Sequence, residues 1–266
     1  MHYSRITGTS GVSIRCCFDN SRPIVSWKGT LETKDAMHIQ YYPMFVSVDK
    51  RECLVVGGGP VGERKIRLLM SYGAVIRLVA EKLTPWLQTQ CDQGNVRLAG
   101  ETYSKDHLED VDVVFAATSD PGLNREIAAD ARQRRLLCNM ATEPECGSFI
   151  VPSIFRRGPL TIAISTAGAS PALAVQIRQK LEHEFGIEWS ILLNLMSLLR
   201  MTIQSKGMTS DQNQELYHRI TGLPLLEWIQ KGENSPAIQA ISDICHPWIN
   251  SVEIEHTWNE AWKHFS

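Results

Sequence analysis

Six residues, Gly57-Gly58-Gly59-Pro60-Val61-Gly62, read G-x-G-x-x-G directly after an apolar run at 52–56. They open an amphipathic stretch through Glu63, Lys65, Leu68, Leu69 and Met70. A strand that feeds such a turn into a helix constrains the surrounding chain more than any other feature of this sequence. Gly57 permits the tight turn, Gly59 lets a pyrophosphate approach the backbone, and Gly62 lets the helix pack on the sheet. The first N–H groups of the helix and the positive end of its dipole then face the ligand. An acidic residue about twenty positions further on completes the fingerprint, and Glu81 stands there. Its carboxylate suits the adenosine ribose hydroxyls and disfavours the extra phosphate of NADP, while Lys82 beside it keeps both cofactors open. The set points to a nicotinamide or flavin nucleotide.

The pattern around this motif alternates. Apolar strands are expected at 75–80, 96–99, 111–117 and 136–139, with helices at 84–93 and 123–134. Thr84 and Pro85 have the residue types of an N-cap and a first helical position. Continuous apolar strands separated by helices predict a Rossmann-type parallel sheet covered on both faces. The run Ala117-Thr118-Ser119-Asp120 falls at the carboxyl edge of that sheet, where ligands bind. Thr118 is therefore a candidate cofactor contact, or a hydroxyl that caps the next turn.

Further along, 149–151 and 160–165 read as strands and 172–184 as a helix with Ser170 as N-cap and Pro171 at its first position. This unit has too little core to stand alone and is expected to complete itself against a neighbouring chain. Beyond Gly186 the pattern is helical, with an apolar stripe of Ile191, Leu192, Leu195, Leu198 and Leu199 and further pieces at 223–230 and 235–245. The stripe reads as core or dimer contact. The expected organisation is a poorly ordered extension at 1–36, a dinucleotide-binding domain at 37–147, a small α+β dimerisation domain at 148–185 and a helical domain at 186–266.

Composition narrows the partners. The 266 residues carry Lys+Arg 27 against Asp+Glu 29, a formal net charge of -2, which offers no general basic surface for nucleic acid. No stretch approaches the ~18 uninterrupted apolar residues of a membrane span. The seven cysteines are odd in number and none is spaced CxxC, so the inventory reads as reduced and cytoplasmic, with no metal site.

The sequence resembles the precorrin-2 dehydrogenase module of siroheme synthases. The residues that carry the resemblance are the glycine run extended by Glu63-Arg64-Lys65, Phe115-Ala116-Ala117-Thr118, Cys138-Asn139, Ser148-Phe149-Ile150-Val151-Pro152-Ser153, and Ser165-Thr166-Ala167-Gly168-Ala169-Ser170-Pro171. The similarity covers about 42–184, with a looser helical match beyond. It implies oxidation of precorrin-2 to sirohydrochlorin with NAD, a homodimer built through 148–184, and a helical C-terminal part that helps enclose the tetrapyrrole. It also implies NAD contacts at Pro60, Val61, Glu81 and Lys82. Members that also insert iron carry an aspartate in a CN-x-x-D-x-P motif; here Thr142 stands at that position and Glu143 follows it. A threonine cannot act as a carboxylate base near neutral pH, so any such role is vacant or moves to Glu143. Ferrochelatase activity is therefore not expected, whereas dehydrogenation depends mainly on positioning donor and acceptor.

The many carboxylates of such a substrate call for cations and free N–H groups. Gly168 and Ser170, at the start of a helix, are candidate substrate contacts, with Arg156 and Arg157 next. Each has a plain structural alternative as a cap or a solvated turn. His38 and His107 are candidate proton carriers, or surface residues. Two competing functions remain at this level. One is a bifunctional enzyme that also chelates iron or cobalt through Glu143, Glu145 or a histidine; the other is a non-catalytic subunit that senses NAD.

Overall fold

The computed structural model describes residues 41–263. The expected extension at 1–36, with Cys16 and Cys17, and also His38, lie outside the described residues. Five parallel strands form the first sheet: β1 (Glu52–Val56), β2 (Val75–Val79), β3 (Arg97–Gly100), β4 (Val113–Ala116) and β5 (Leu137–Met140), in the order β3-β2-β1-β4-β5. β1 is central, paired in register Val55↔Leu78 with β2 and Val55↔Phe115 with β4.

The period-2 alternation of β1 explains both faces of this sheet. Cys53 and Val55 point to one side, joining Ile66, Leu69, Leu78 and Phe115 under α1 (Pro60–Ser71) and α2 (Pro85–Asp92). Leu54 and Val56 point to the other, joining Val114, Ile127, Ala131 and Met140 under α3 (Pro121–Gln133). Gly62, Ile66 and Leu69 are the buried stripe of α1. Thr84 caps α2 as expected, its hydroxyl accepting from the Leu87 N–H at 3.3 Å. α3 begins two residues earlier than the apolar pattern indicates. Asp120 is its N-cap, accepting from Gly122 N–H at 2.7 Å and Leu123 N–H at 3.2 Å, and Pro121 opens its first turn.

The expected strand at 149–151 is not formed; β6 runs Ser153–Arg157 and pairs antiparallel with β7 (Leu160–Ile164). Residues 148–151 instead cover the open edge and face of the first sheet. Ser148 exchanges bonds with Cys138, its N–H to the carbonyl and its hydroxyl from the amide, both 2.8 Å. The Phe149 carbonyl accepts from Asn139 Nδ2 at 3.0 Å, and its ring meets Phe115 edge-on at 5.6 Å. Pro152 then has no N–H to give a ladder. Behind the hairpin, α4 (Pro171–Glu184) follows with Ser170 as its N-cap. Phe155 and Ala174 are the fully buried apolar side chains of this unit, and Leu173 and Val175 stay 48% and 42% exposed.

Five helices complete the described chain: α5 (Ile187–Gln204), α6 (Ser210–Thr221), α7 (Leu225–Lys231), α8 (Asn234–Cys245) and α9 (Ser251–Trp262). Ile191, Leu195, Leu199 and Ile203 of α5 form the axis of their core, with Ile220, Ile241 and Trp258 packed around it. α6 and α9 are the two pieces the apolar pattern left undivided. Both start at capping boxes, Thr209 with Gln212 and Asn250 with Glu253.

Candidate functional site

The carboxyl edge of the first sheet collects the turns that follow β1, β2, β4 and β5. Strand order reverses at β1, whose neighbours are β2 on one side and β4 on the other, so the crevice at its end is the switch point of the fold. The glycine run occupies it. Gly57 has φ +119, and a Cβ there would lie 2.3 Å from the carbonyl oxygen of Ala117. Gly58 is equally confined, since a Cβ would lie 2.3 Å from the carbonyl oxygen of Lys82, and its own carbonyl accepts from Thr84 N–H at 3.1 Å. The run is thereby wedged between the turns after β2 and β4.

Gly59 differs. It is the N-cap of α1, no side chain caps the first turn, and a Cβ there would meet nothing within 4 Å. Open space in front of an uncapped helix N-terminus is what a pyrophosphate needs. The residues present therefore fit a dinucleotide: Gly59, Val61 and Gly62 offer N–H groups, and Pro60 stands at a position where no N–H is lost. Pro60 and Val61 are exposed there, as are Glu81 and Lys82 at the end of β2.

Thr118 lies at the end of β4, but its hydroxyl has local partners. It donates to Asn124 Oδ1 at 2.8 Å and accepts from Asp120 N–H at 3.2 Å. Asn124, fully buried, also accepts from Thr118 N–H at 3.1 Å and returns a bond to its carbonyl at 3.0 Å. Asn124 thus fixes the turn that presses on Gly57, a role with no motif to announce it. Gly58 was legible only as part of a glycine triplet.

Beyond β5, Thr142 is exposed and Glu143 is held. One Glu143 oxygen accepts from Arg125 Nη1 at 2.7 Å and the other from the Cys146 thiol at 3.6 Å. Burial, and then Glu143 itself, push that thiol upward. Glu145 is exposed in the short turn Pro144–Cys146. Among the described residues, no group of three or more His, Cys, Asp or Glu side chains is placed to hold a metal ion. No helix in that range is long and apolar enough to cross a membrane.

Gly168 and Ser170 lie in the turn between β7 and α4. Gly168 has φ +86 with open space beside it. The Ser170 hydroxyl accepts from Leu173 N–H at 3.2 Å, and its N–H donates to Thr166 Oγ1 at 3.2 Å. Arg157 caps the end of α4, donating to the carbonyls of Phe185 and Glu182 at 3.2 and 3.1 Å. Arg156 lies 5.4 Å over the Tyr72 ring. The His107 ring closes a capping box with Ser104, whose N–H it accepts at 3.0 Å.

Two family models match the chain. The NAD(P)-binding model covers residues 44–153, and the model for the central part of sirohaem biosynthesis proteins covers 157–184. Siroheme synthase 1 of Serratia proteamaculans is 43% identical over 145 residues, 54% of this chain and 30% of its own length. The siroheme synthase of Chromobacterium violaceum is 31% identical over 199 residues, 75% of this chain and 42% of its own length. The chain thus spans well under half of these relatives. A solved structure described as SirC, precorrin-2 dehydrogenase, superposes with a TM-score of 0.62 at 25% identity, covering 76% of this chain and all of that one. The edge built around Gly59 falls within the segment that the NAD(P)-binding model matches.

Proposed function

Because the chain belongs to the precorrin-2 dehydrogenase family of siroheme biosynthesis, we propose that it oxidises precorrin-2 to sirohydrochlorin with NAD as acceptor. The observation that carries this reading is the open face of Gly59 at the uncapped start of α1, between the turns after β2 and β4. When bound, NAD supplies the acceptor for the two electrons and one proton that leave precorrin-2 as a hydride, while a second proton is released. The chain's part is to bind and orient. Gly59, Val61 and Gly62 donate to the pyrophosphate, with Pro60 and Val61 along its flank. Glu81 accepts from the ribose hydroxyls, and its negative charge selects NAD over NADP. Thr118, fixed by Asn124, sets the depth of the crevice.

Glu143, the carboxylate next to Thr142, is engaged by Arg125 and Cys146. We therefore read the reaction as driven by orientation, with Thr142 and Glu143 shaping the site rather than taking a proton, and with metal insertion left to another protein. In this reading residues 37–147 hold the cofactor, 148–185 form the homodimer contact and 186–266 enclose the macrocycle. The exposed Leu173 and Val175 of α4 support the dimer. Gly168 and Ser170 supply a turn for a substrate carboxylate. A cytoplasmic setting agrees with the free, buried thiols of Cys53, Cys138 and Cys245.

The test is an anaerobic absorbance assay with enzymatically generated precorrin-2, run with NAD alone and then with ferrous or cobaltous ion added. Sirohydrochlorin forming with NAD, and metal insertion no faster than without protein, is the expected result. NAD binding with no oxidation would overturn the proposal in favour of a sensing subunit. Accelerated insertion would instead show a bifunctional enzyme.

A further inference from the structure

Lys65 sits in the second turn of α1, between two residues whose partners are evident. Glu63 receives Arg67 at 2.7 Å, and the Arg67 guanidinium stacks 3.7 Å over the Trp86 ring. Lys65 has no anion. Among the described residues no carboxylate, carbonyl or hydroxyl accepts from its ammonium, which lies 5.9 Å from the centroid of the Phe115 ring. Phe115 in turn meets Phe149 edge-on. Withdrawal from water, and then the charge of Arg64, lower its pKa from 10.5 to about 8. An ammonium drawn out of water without a counter-charge destabilises the resting fold, and an arriving anion relieves that penalty.

The place of this ammonium gives the anion's identity. Phe115 pairs with Val55 of β1 and Asn139 of β5, and two residues beyond it Ala117 presses on Gly57. Lys65 therefore lies on the β4 side of the switch point, across β1 from Glu81. A dinucleotide whose adenosine ribose rests on Glu81 extends its reacting end toward β4. Arg125 is committed to Glu143 and Arg157 to the last carbonyls of α4, while Arg64, next to Lys65 on α1, is exposed. Lys82 stands on the adenosine side.

We propose that Lys65 is the cation that receives a carboxylate of the tetrapyrrole and holds the macrocycle against the reacting end of the cofactor, with the half-buried Phe149 as the apolar surface beside it. This inference rests on the reading of the chain as a tetrapyrrole dehydrogenase. It assigns Lys65 a share in substrate recognition that is separate from cofactor binding.

The experiment compares wild type, Lys65→Met and Lys65→Arg by anaerobic tryptophan-fluorescence titration with sirohydrochlorin, by NAD titration, and by steady-state oxidation of precorrin-2. A charge-assisted bond of this kind corresponds to roughly tenfold to a hundredfold in affinity. In Lys65→Met, sirohydrochlorin affinity falls and KM for precorrin-2 rises by about that factor, whereas kcat and NAD affinity stay within about threefold. Lys65→Arg recovers most of the loss. The melting temperature of Lys65→Met is equal to or above that of wild type, because the uncompensated charge is gone. Unchanged sirohydrochlorin affinity in Lys65→Met, in a protein whose wild type binds it, would overturn the inference alone. An equal loss of NAD affinity would also overturn it, by assigning Lys65 to the cofactor. A wild type that binds no tetrapyrrole would overturn the proposed function as well.

Discussion

The α-carbon of Gly62 faces the carbonyl oxygen of Gly57 so closely that a Cβ would lie 1.9 Å from it, whereas one on Gly59 would meet open space. The two glycines of one motif therefore serve different ends. Gly62→Ala is expected to destabilise the fold by about 1–3 kcal/mol through forced displacement of α1 or the turn. Gly59→Ala should change stability by under about 1 kcal/mol, its φ of -82 being ordinary for alanine. Its methyl group would still stand where the pyrophosphate comes, and NAD affinity should fall at least about tenfold. Thermal unfolding and NAD calorimetry on both variants check this. Equal NAD affinity in Gly59→Ala and wild type would contradict the placement of the cofactor.

Glu81→Gln removes a charge at the exposed end of β2 without touching the glycine run. NAD binding is expected to weaken by about tenfold and the preference for NAD over NADP to shrink by more, because repulsion of a 2′-phosphate is also lost. Dissociation constants for both cofactors decide it. A preference unmoved by the substitution would remove Glu81 from the site.

The Arg125 and Glu143 side chains of the bridging pair are 54% and 27% exposed. Such a pair contributes about 0–1 kcal/mol, so Glu143→Gln should leave both stability and the oxidation rate nearly unchanged. Thr142→Asp, by contrast, puts a carboxylate at the edge. Metal insertion into sirohydrochlorin, monitored with cobaltous ion, should accelerate on the order of a hundredfold if a base is all that is lacking. No acceleration would mean that the missing base is not the only obstacle.

Alkaline pH separates two opposing groups. Burial raises the thiols of Cys53, Cys138 and Cys245 from 9.0 to about 11, so each stays protonated in the fold after it would ionise in the unfolded chain. Their contribution is complete below pH 9 and is lost between about pH 9 and 11, on the order of 1 kcal/mol per thiol. Lys65 acts the other way: its folded pKa of about 8 is depressed below 10.5, so stability recovers as pH rises through that window. Urea midpoints from pH 7.5 to 10.5 should therefore rise between about pH 8 and 9, where Lys65 alone titrates, and fall beyond it, where the three thiols outweigh it. Cys245→Ala should make the fall shallower. A fall of unchanged slope in that variant would show that Cys245 is not a contributor.

The sheet was legible because its strands are apolar without interruption and its turns carry glycine. Three of its features were not. Phe149 and Val151 have strand composition, yet the bonds of Ser148 to Cys138 commit them to the first sheet and Pro152 ends any ladder there. Asn124 looks like any polar residue in the first turn of a helix; only the fold brings its amide under Thr118. Glu143 reads as a free carboxylate until Arg125, eighteen residues earlier, is brought against it by the crossover from β4 to β5. Thr84 and Ser170, whose partners lie three residues away, were readable as caps for the opposite reason: short-range bonds are written in the local sequence.

Gly57 touches the turn after β4 and Gly58 the turn after β2, both through main-chain atoms that no substitution can remove. For protein engineering this draws a boundary. The main-chain path from Val56 to Thr84 is a fixed chassis, and new cofactor preference must be sought in outward side chains such as those of Glu81 and Lys82, where a library can vary chemistry without reopening the fold.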